Sequence, residues 1–246
     1  MSQAFFVSDI HIKTPEESNS EKLLLFLHGL ENNGATHLFL VGDIFDLWID
    51  HHSYFVDRYK KIVNAIRSLV NKGIEVHYFE GNHDLYLKSF WQQDVGVQVH
   101  DGPEFFNIDG QVVRVEHGDL MNPDDRGYLF LKKTLQSSPI KQLAKNLPSP
   151  IVRWVGERAS QASRHYTSHQ KSIEEEKAIS FMHTYAQNEV QKRHFDFLIT
   201  GHTHVRDIYQ FSNQGQEVFS INLGSWFDDQ RVGYLKNGEF IFIEVE

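Results

Sequence analysis

The chain has 246 residues and no cysteine, which excludes disulfides and thiolate metal sites and leaves only oxygen and imidazole donors for any bound metal. Its formal net charge of -9 argues against a general nucleic-acid binder. No apolar run approaches the roughly 18 residues that read as a membrane span, and Met1 to Asp9 lacks the basic start and cleavage site of a signal peptide. A soluble, cytoplasmic protein is expected. Charge is uneven along it. Arg126 to Lys171 holds nine Lys/Arg against the single acid Glu157, so a basic segment of +8 sits in a body carrying -17.

In chain order, Ala4 to Ser8 reads as a strand. A helical stretch follows with Leu23, Leu24, Phe26, Leu27 and Leu30 on a 3.6-residue period, with Ser20 as its cap candidate and Gly34 after it. His37 to Val41 reads as a strand, Val56 to Asn71 as a helix stopped at Gly73, and Ile74 to Phe79 as another strand. Asp109-Gly110 joins the strands at 105–108 and 112–115 as a two-residue hairpin, and Asn237-Gly238 marks another near the end. The middle is helical, with breaks at Pro139, Pro148 and Pro150. Strands return at 195–200, 208–211, 218–223, 232–235 and 240–245. The expected fold is α/β: a two-sheet β-sandwich core flanked by helices, formed by residues 1–123 and 193–246, with 124–192 inserted as a helical cap.

Five polar motifs interrupt this pattern where strands end: Asp9-Ile10-His11, Gly42-Asp43-Ile44-Phe45-Asp46, Gly81-Asn82-His83-Asp84, His117-Gly118-Asp119 and Gly201-His202-Thr203-His204. Ligand crevices of open α/β sheets lie at strand C-terminal ends, so the five motifs can meet in one place. Carboxylates and neutral imidazoles suit borderline divalent cations, and a carboxylate such as that of Asp43 has two oxygens with which to bridge a pair of ions. Asp9 and His11 alternate along one extended segment and so face one side, as do His202 and His204. Alone, each motif has an ordinary reading as a capped turn or a solvated strand end. All five together, in this order, do not.

The ordered set resembles the calcineurin-like metallophosphoesterase superfamily, over a span from Asp9 to His204. The resemblance implies two divalent ions, manganese first among Mg, Fe and Zn. One is held by Asp9, His11, Asp43 and His204, the other by Asp43, Asn82, His117 and His202. The expected chemistry is in-line attack on phosphorus by a hydroxide shared between the ions. His83, paired with Asp84, is the candidate catalytic pair that stabilises charge or protonates the leaving group.

Within the superfamily the chain resembles the UDP-2,3-diacylglucosamine hydrolases of lipid A synthesis. The resemblance rests on Gly42 to Ile49, on His117-Gly118-Asp119 followed by Asp124-Asp125-x-Gly127-Tyr128, and on the cap before Gly201. It implies pyrophosphate cleavage in a nucleotide-sugar lipid, with Asn82, Asp125, Ser163 and Lys171 as substrate contacts. His83 departs from that family, many of whose members carry arginine there, and this leaves open a related phosphodiesterase or phosphatase with another substrate. A non-catalytic scaffold would be expected to have lost ligands, and every ligand position is filled. Lys and Arg at 132, 133, 141, 145, 153, 158 and 164, interleaved with Leu143, Leu147, Ile151, Trp154 and Val155, suit peripheral contact with an anionic membrane. A solvated face over an apolar seam would carry the same pattern.

Overall fold

A computed structural model describes residues 1–122, 126–135, 137, 139–140, 142, 147–148, 151, 171–227 and 229–245. Asp125 and Ser163 lie outside them, as do the basic residues 141, 145, 153, 158 and 164. Short hydrophobic strands build two sheets. In the first, β1 (Gln3–Val7), β2 (His37–Leu40), β4 (Glu75–Phe79) and β6 (Gln98–His100) run parallel, and β12 (Arg231–Lys236) and β13 (Glu239–Glu244) extend it antiparallel in the order β13-β12-β1-β2-β4-β6. In the second, β8 (Gln111–Val115), β9 (Phe197–Thr200) and β11 (Gln216–Asn222) run parallel between the edge strands β7 (Glu104–Ile108) and β10 (Asp207–Asn213). Two short strands, β3 (Trp48–Ile49) and β5 (Asp84–Leu85), pair beside the motif loops.

Alternation of side chains along each strand creates four layers. Ala4, Phe6, Phe39, Val41 and Phe79 face inward from the first sheet and meet Val113, Val115, Phe197, Ile199 and Ile221 of the second. The opposite face of the first sheet, with Phe5, Val7, Leu38 and Leu40, is covered by α1 (Ser18–Leu30) and α3 (Lys60–Asn71). Leu23, Leu27 and Leu30 of α1 and Ile62, Ile66 and Leu69 of α3 supply that contact, the 3.6-residue spacing an amphipathic helix requires. Both dipeptide hairpins form, because Asp109 and Asn237 accept the left-handed conformation, φ 51° and 54°, ahead of Gly110 and Gly238.

Two helix expectations change. α1 begins at Ser18 with Glu17 at its cap position, and Ser20 is buried inside the first turn instead of capping. Glu17 is drawn off by the backbone N–H of Lys13, which donates to its carboxylate at 2.8 Å. The helix read from Val56 to Asn71 is two, α2 (Ser53–Arg58) and α3, broken at Tyr59. The hydroxyl of Tyr59 donates to the carbonyls of Ile12 and Lys13, tying the break to the first motif. His52 caps α2, accepting from Tyr54 N.

After β8 come α4 (Arg126–Leu135) and later α5 (Lys171–Lys192), which Lys171 opens. The C-terminal half of α5 lies on the outer face of the second sheet, where Ala186 and Val190 join Phe195, Leu198 and Val218. A buried ionic network fastens it: Arg114 of β8 meets Glu116 at 2.8 Å and Glu189 of α5 at 2.7 Å, and Tyr185 donates to Glu116 at 2.9 Å. Charges removed from water in this way need partners, and here each is set against an opposite charge.

Candidate metal centre

The first candidate ligand of each motif lies two or three residues beyond a strand end: Asp9 after β1, Asp43 after β2, Asn82 after β4, His117 after β8 and His202 after β9. All of these are parallel strands, so their C-terminal ends gather along one rim of the sandwich. The backbone at the rim is unusual. Asp9, His11, Asp43, His202 and His204 all have positive φ, from 50° to 69°. Left-handed geometry in non-glycine residues is uncommon and is concentrated at functional sites, with Asp, Asn and His its most tolerant members. The sequence expectation of a plain extended alternation at Asp9/His11 and His202/His204 is therefore corrected: these side chains are aimed by sharp turns, and His202 and His204 point to opposite halves of the site.

One half gathers Asp9, His11 and His204. The His11 and His204 Nε2 atoms are 3.1 Å apart, and Asp9 Oδ1 lies 3.3 Å from His204 Nε2 and 3.8 Å from His11 Nε2. The other half gathers Asp43, Asn82, His117 and His202. Asn82 Oδ1 is 3.2 Å from His117 Nε2 and 3.1 Å from His202 Nδ1. Asp43 stands between them: its Oδ2 is 3.8 Å from His11 Nε2 and 3.5 Å from His117 Nε2. All seven residues singled out as ligands thus meet in one place, and each half offers three ionisable donors within 4.8 Å of one another.

These residues fit a pair of cations. Asp9 is fully buried, yet its Oδ1 accepts no hydrogen bond, a costly state for a carboxylate unless a cation takes that position. Imidazole nitrogens that face each other at 3.1 Å require a proton or a metal between them. His117 is fixed for the task, since its Nδ1 donates to the Val41 carbonyl at 2.8 Å and so leaves the Nε2 lone pair for the centre. Main-chain donors brace both carboxylates: His83 N donates to Asp43 Oδ1 and His202 N to Asp9 Oδ2, each at 2.9 Å. Glycine is obligatory at two points of closest approach. A Cβ on Gly81 would collide with Asp43 Oδ1, and one on Gly201 with Asp9 Oδ2.

The electrostatics express the same demand for positive charge. Burial alone would raise the carboxyls of Asp9 and Asp43, but the surrounding histidines hold both well below the ordinary carboxylate range. Burial would lower His117, but the charge of Asp43 beside it prevails and lifts it to about 10. His202 goes the other way, to about 4, through burial and then the charge of His117. A consequence follows for the metal-free chain. His117 binds its proton more tightly folded than unfolded, so its stabilising contribution is complete below about pH 6.5 and is lost as pH rises through about 10. His202 titrates below that window. The metal-free chain is expected to lose thermal stability from pH 7 to pH 10, and excess divalent metal to abolish or reverse the loss. Calorimetric melting across that range checks it; a flat metal-free profile would contradict it.

His83 and Asp84 separate in the structure. They do not form the expected pair. Asp84 is fully buried and accepts from Ile44 N and Tyr78 OH, at 2.8 and 2.7 Å, and from Phe45 N at 3.3 Å. It therefore holds the loop that carries Asp43. Burial first, and then the nearby charge of Asp43, raise its carboxyl to about 7. The partner of His83 is the backbone carbonyl of Asp46, 2.7 Å from Nδ1. Its ring lies edge-on to His11, with centroids 4.7 Å apart. Burial would lower its pKa, but the charge of Asp43 turns the shift upward.

Other residues reach the site that sequence reasoning left unassigned. Asp46, the second aspartate of its motif, offers a carboxylate within 4.8 Å of His11 and His83 donors. Asp119 receives the Tyr128 hydroxyl and the Lys132 ammonium, which pins α4 beside the centre; the Tyr128 ring is 6.2 Å from that of His202. Asp46 and Asp119 sit inside motifs already visible in the sequence, whereas Phe227, stacked on His11, carries no sequence signal.

A two-sheet sandwich presenting this donor set at its strand ends defines a metal-dependent phosphoester hydrolase. Residues 4–206 match the calcineurin-like phosphoesterase family, and the chain belongs to that family. It is 28% identical to a UDP-2,3-diacylglucosamine hydrolase of Salmonella arizonae over 224 residues, 90% of each chain. It is 26% identical to the enzyme of that name from Klebsiella pneumoniae, over 91% of each. Among solved structures, a novel archaeal phosphodiesterase matches with a TM-score of 0.51 and 15% identity, covering 98% of this chain and 99% of the other, a likeness of fold. No helix among the described residues is long and apolar enough to cross a membrane.

Proposed function

We propose that this enzyme cleaves the pyrophosphate of UDP-2,3-diacylglucosamine to UMP and 2,3-diacylglucosamine 1-phosphate. The observation that carries the reading is mutual coverage of about nine-tenths with relatives named for that substrate. Asp9, His11, Asp43 and His204 hold one divalent ion, and Asp43, Asn82, His117 and His202 the other. Manganese suits this mixture of carboxylate, amide and imidazole donors. Bound there, such ions lower the pKa of water and neutralise phosphoryl oxygens.

The remaining work falls to the chain. With Nδ1 occupied by the Asp46 carbonyl, His83 has Nε2 available to donate to a phosphoryl or leaving oxygen. The raised pKa keeps it protonated nearer neutrality. Asn82, fixed between His117 and His202, reaches both metal and substrate. Asp125, Ser163 and Lys171 of the cap region contact the nucleotide sugar. The basic cap contacts an anionic membrane; on α4, Lys133 stands near Phe130, whose ring is 74% exposed.

One observation favours a second reading. Position 83 carries histidine, the general superfamily residue, which suits a phosphodiesterase with a different ester. Mass spectrometry of the products from the acylated UDP-sugar, with added Mn²⁺ and an aryl phosphodiester in parallel, separates the two. Release of UMP with the acylated sugar phosphate is the expected result. Hydrolysis of the aryl diester alone would transfer the assignment to the second reading.

A further inference from the structure

We infer that Phe227 is a positioning residue for the Asp9, His11 and His204 half of the centre: it clamps the His11 imidazole and shields that half from water. Its ring lies parallel to His11, at 14° and 5.3 Å between centroids, and tilts toward His204 at 63° and 5.6 Å. Both separations fall in the range where aromatic rings attract. Among the described residues, the rings that meet His117 and His202 are each other and Tyr128, so Phe227 serves one half alone.

The placement is enforced from below. Trp226, buried to 1%, donates its backbone N–H to the Asp9 carbonyl at 3.2 Å and its indole N–H to Arg231 O at 3.1 Å. Its own carbonyl accepts from Gln230 at 3.1 Å and Asn19 at 3.4 Å. The residue that supplies the orphaned carboxylate therefore also sets the height of the Phe227 ring. Phe227 itself is 47% exposed, so its ring lies between the His11 imidazole and solvent. Lys13 Nζ stands 6.0 Å from the ring centroid. His83 and His204 meet the His11 ring at steep angles, 88° and 65°, and Phe227 adds the near-parallel contact on its face. Fixing a ligand ring and excluding water both strengthen its bond to a cation.

The inference rests on the two-ion reading, which titration of the unaltered chain tests separately by showing two Mn²⁺ bound. The experiment is calorimetric Mn²⁺ titration of Phe227→Ala, Phe227→Leu and Phe227→Tyr, with kcat and KM measured alongside. The Ala and Leu variants are expected to bind one ion as before and the other about tenfold more weakly. Tyr, which preserves the stack, should restore the native isotherm. Loss in kcat should follow the weakened ion and be recovered by added Mn²⁺, with KM little changed. Native affinity for both ions in Ala and Leu would overturn the inference, as would equal weakening of both ions.

Discussion

Asp43→Asn is expected to lower turnover by roughly 10³-fold or more and to reduce metal content below one ion per chain. The substitution keeps the shape of the side chain and removes its charge. Asp43 is the residue within reach of both halves, with Oδ2 at 3.8 Å from His11 Nε2 and 3.5 Å from His117 Nε2. A neutral amide there leaves Asp9 as the nearest remaining carboxylate among the seven donors. The same change withdraws the charge that lifts His117 to about 10, so the alkaline loss of stability in the metal-free chain should diminish. Elemental analysis, turnover and melting curves on one preparation check all three. Two ions retained with full activity would remove Asp43 from the bridging role.

His83→Ala is expected to produce the opposite combination, a fall in turnover of about 10²- to 10⁴-fold with metal content still near two. The side chain of His83 lies outside both halves of the seven-donor set, its Nδ1 is committed to the Asp46 carbonyl, and Asp43 raises its pKa. Its loss therefore removes a donor near the reacting phosphate and leaves the metal donors in place. The main-chain bond from His83 N to Asp43 Oδ1 survives the substitution, which keeps the Asp43 carboxylate oriented. Unchanged turnover would exclude His83 from the chemistry. Loss of metal would instead make it a ligand, grouped with His11 and Asp46.

Much of the architecture was legible because local signals and the fold agree. The dipeptides Asp109-Gly110 and Asn237-Gly238 impose their hairpins through backbone conformation alone. The apolar runs at 37–41, 74–79 and 195–200 contain the strands His37–Leu40, Glu75–Phe79 and Phe197–Thr200, largely apolar along their length because parallel strands are covered on both faces. Long-range partners were not legible. The pairing of His83 with the Asp46 carbonyl, and of Asp84 with Ile44, Phe45 and Tyr78, depends on how two loops meet, and adjacency in sequence suggested the wrong couple. β3 and β5, two residues each, are too short to show a period. The docking of α5 depends on Arg114 reaching Glu189 across 75 positions, a contact without a local pattern. At the centre itself the residue types were visible, but the left-handed turns that aim Asp9, His11, Asp43, His202 and His204 were not.

The most direct test of the central claim is anomalous diffraction from crystals soaked in Mn²⁺. Two peaks about 3.5–4 Å apart are predicted, one on each side of the Asp43 carboxylate. A single peak away from Asp43, or none among Asp9, His11, Asn82, His117, His202 and His204, would contradict it.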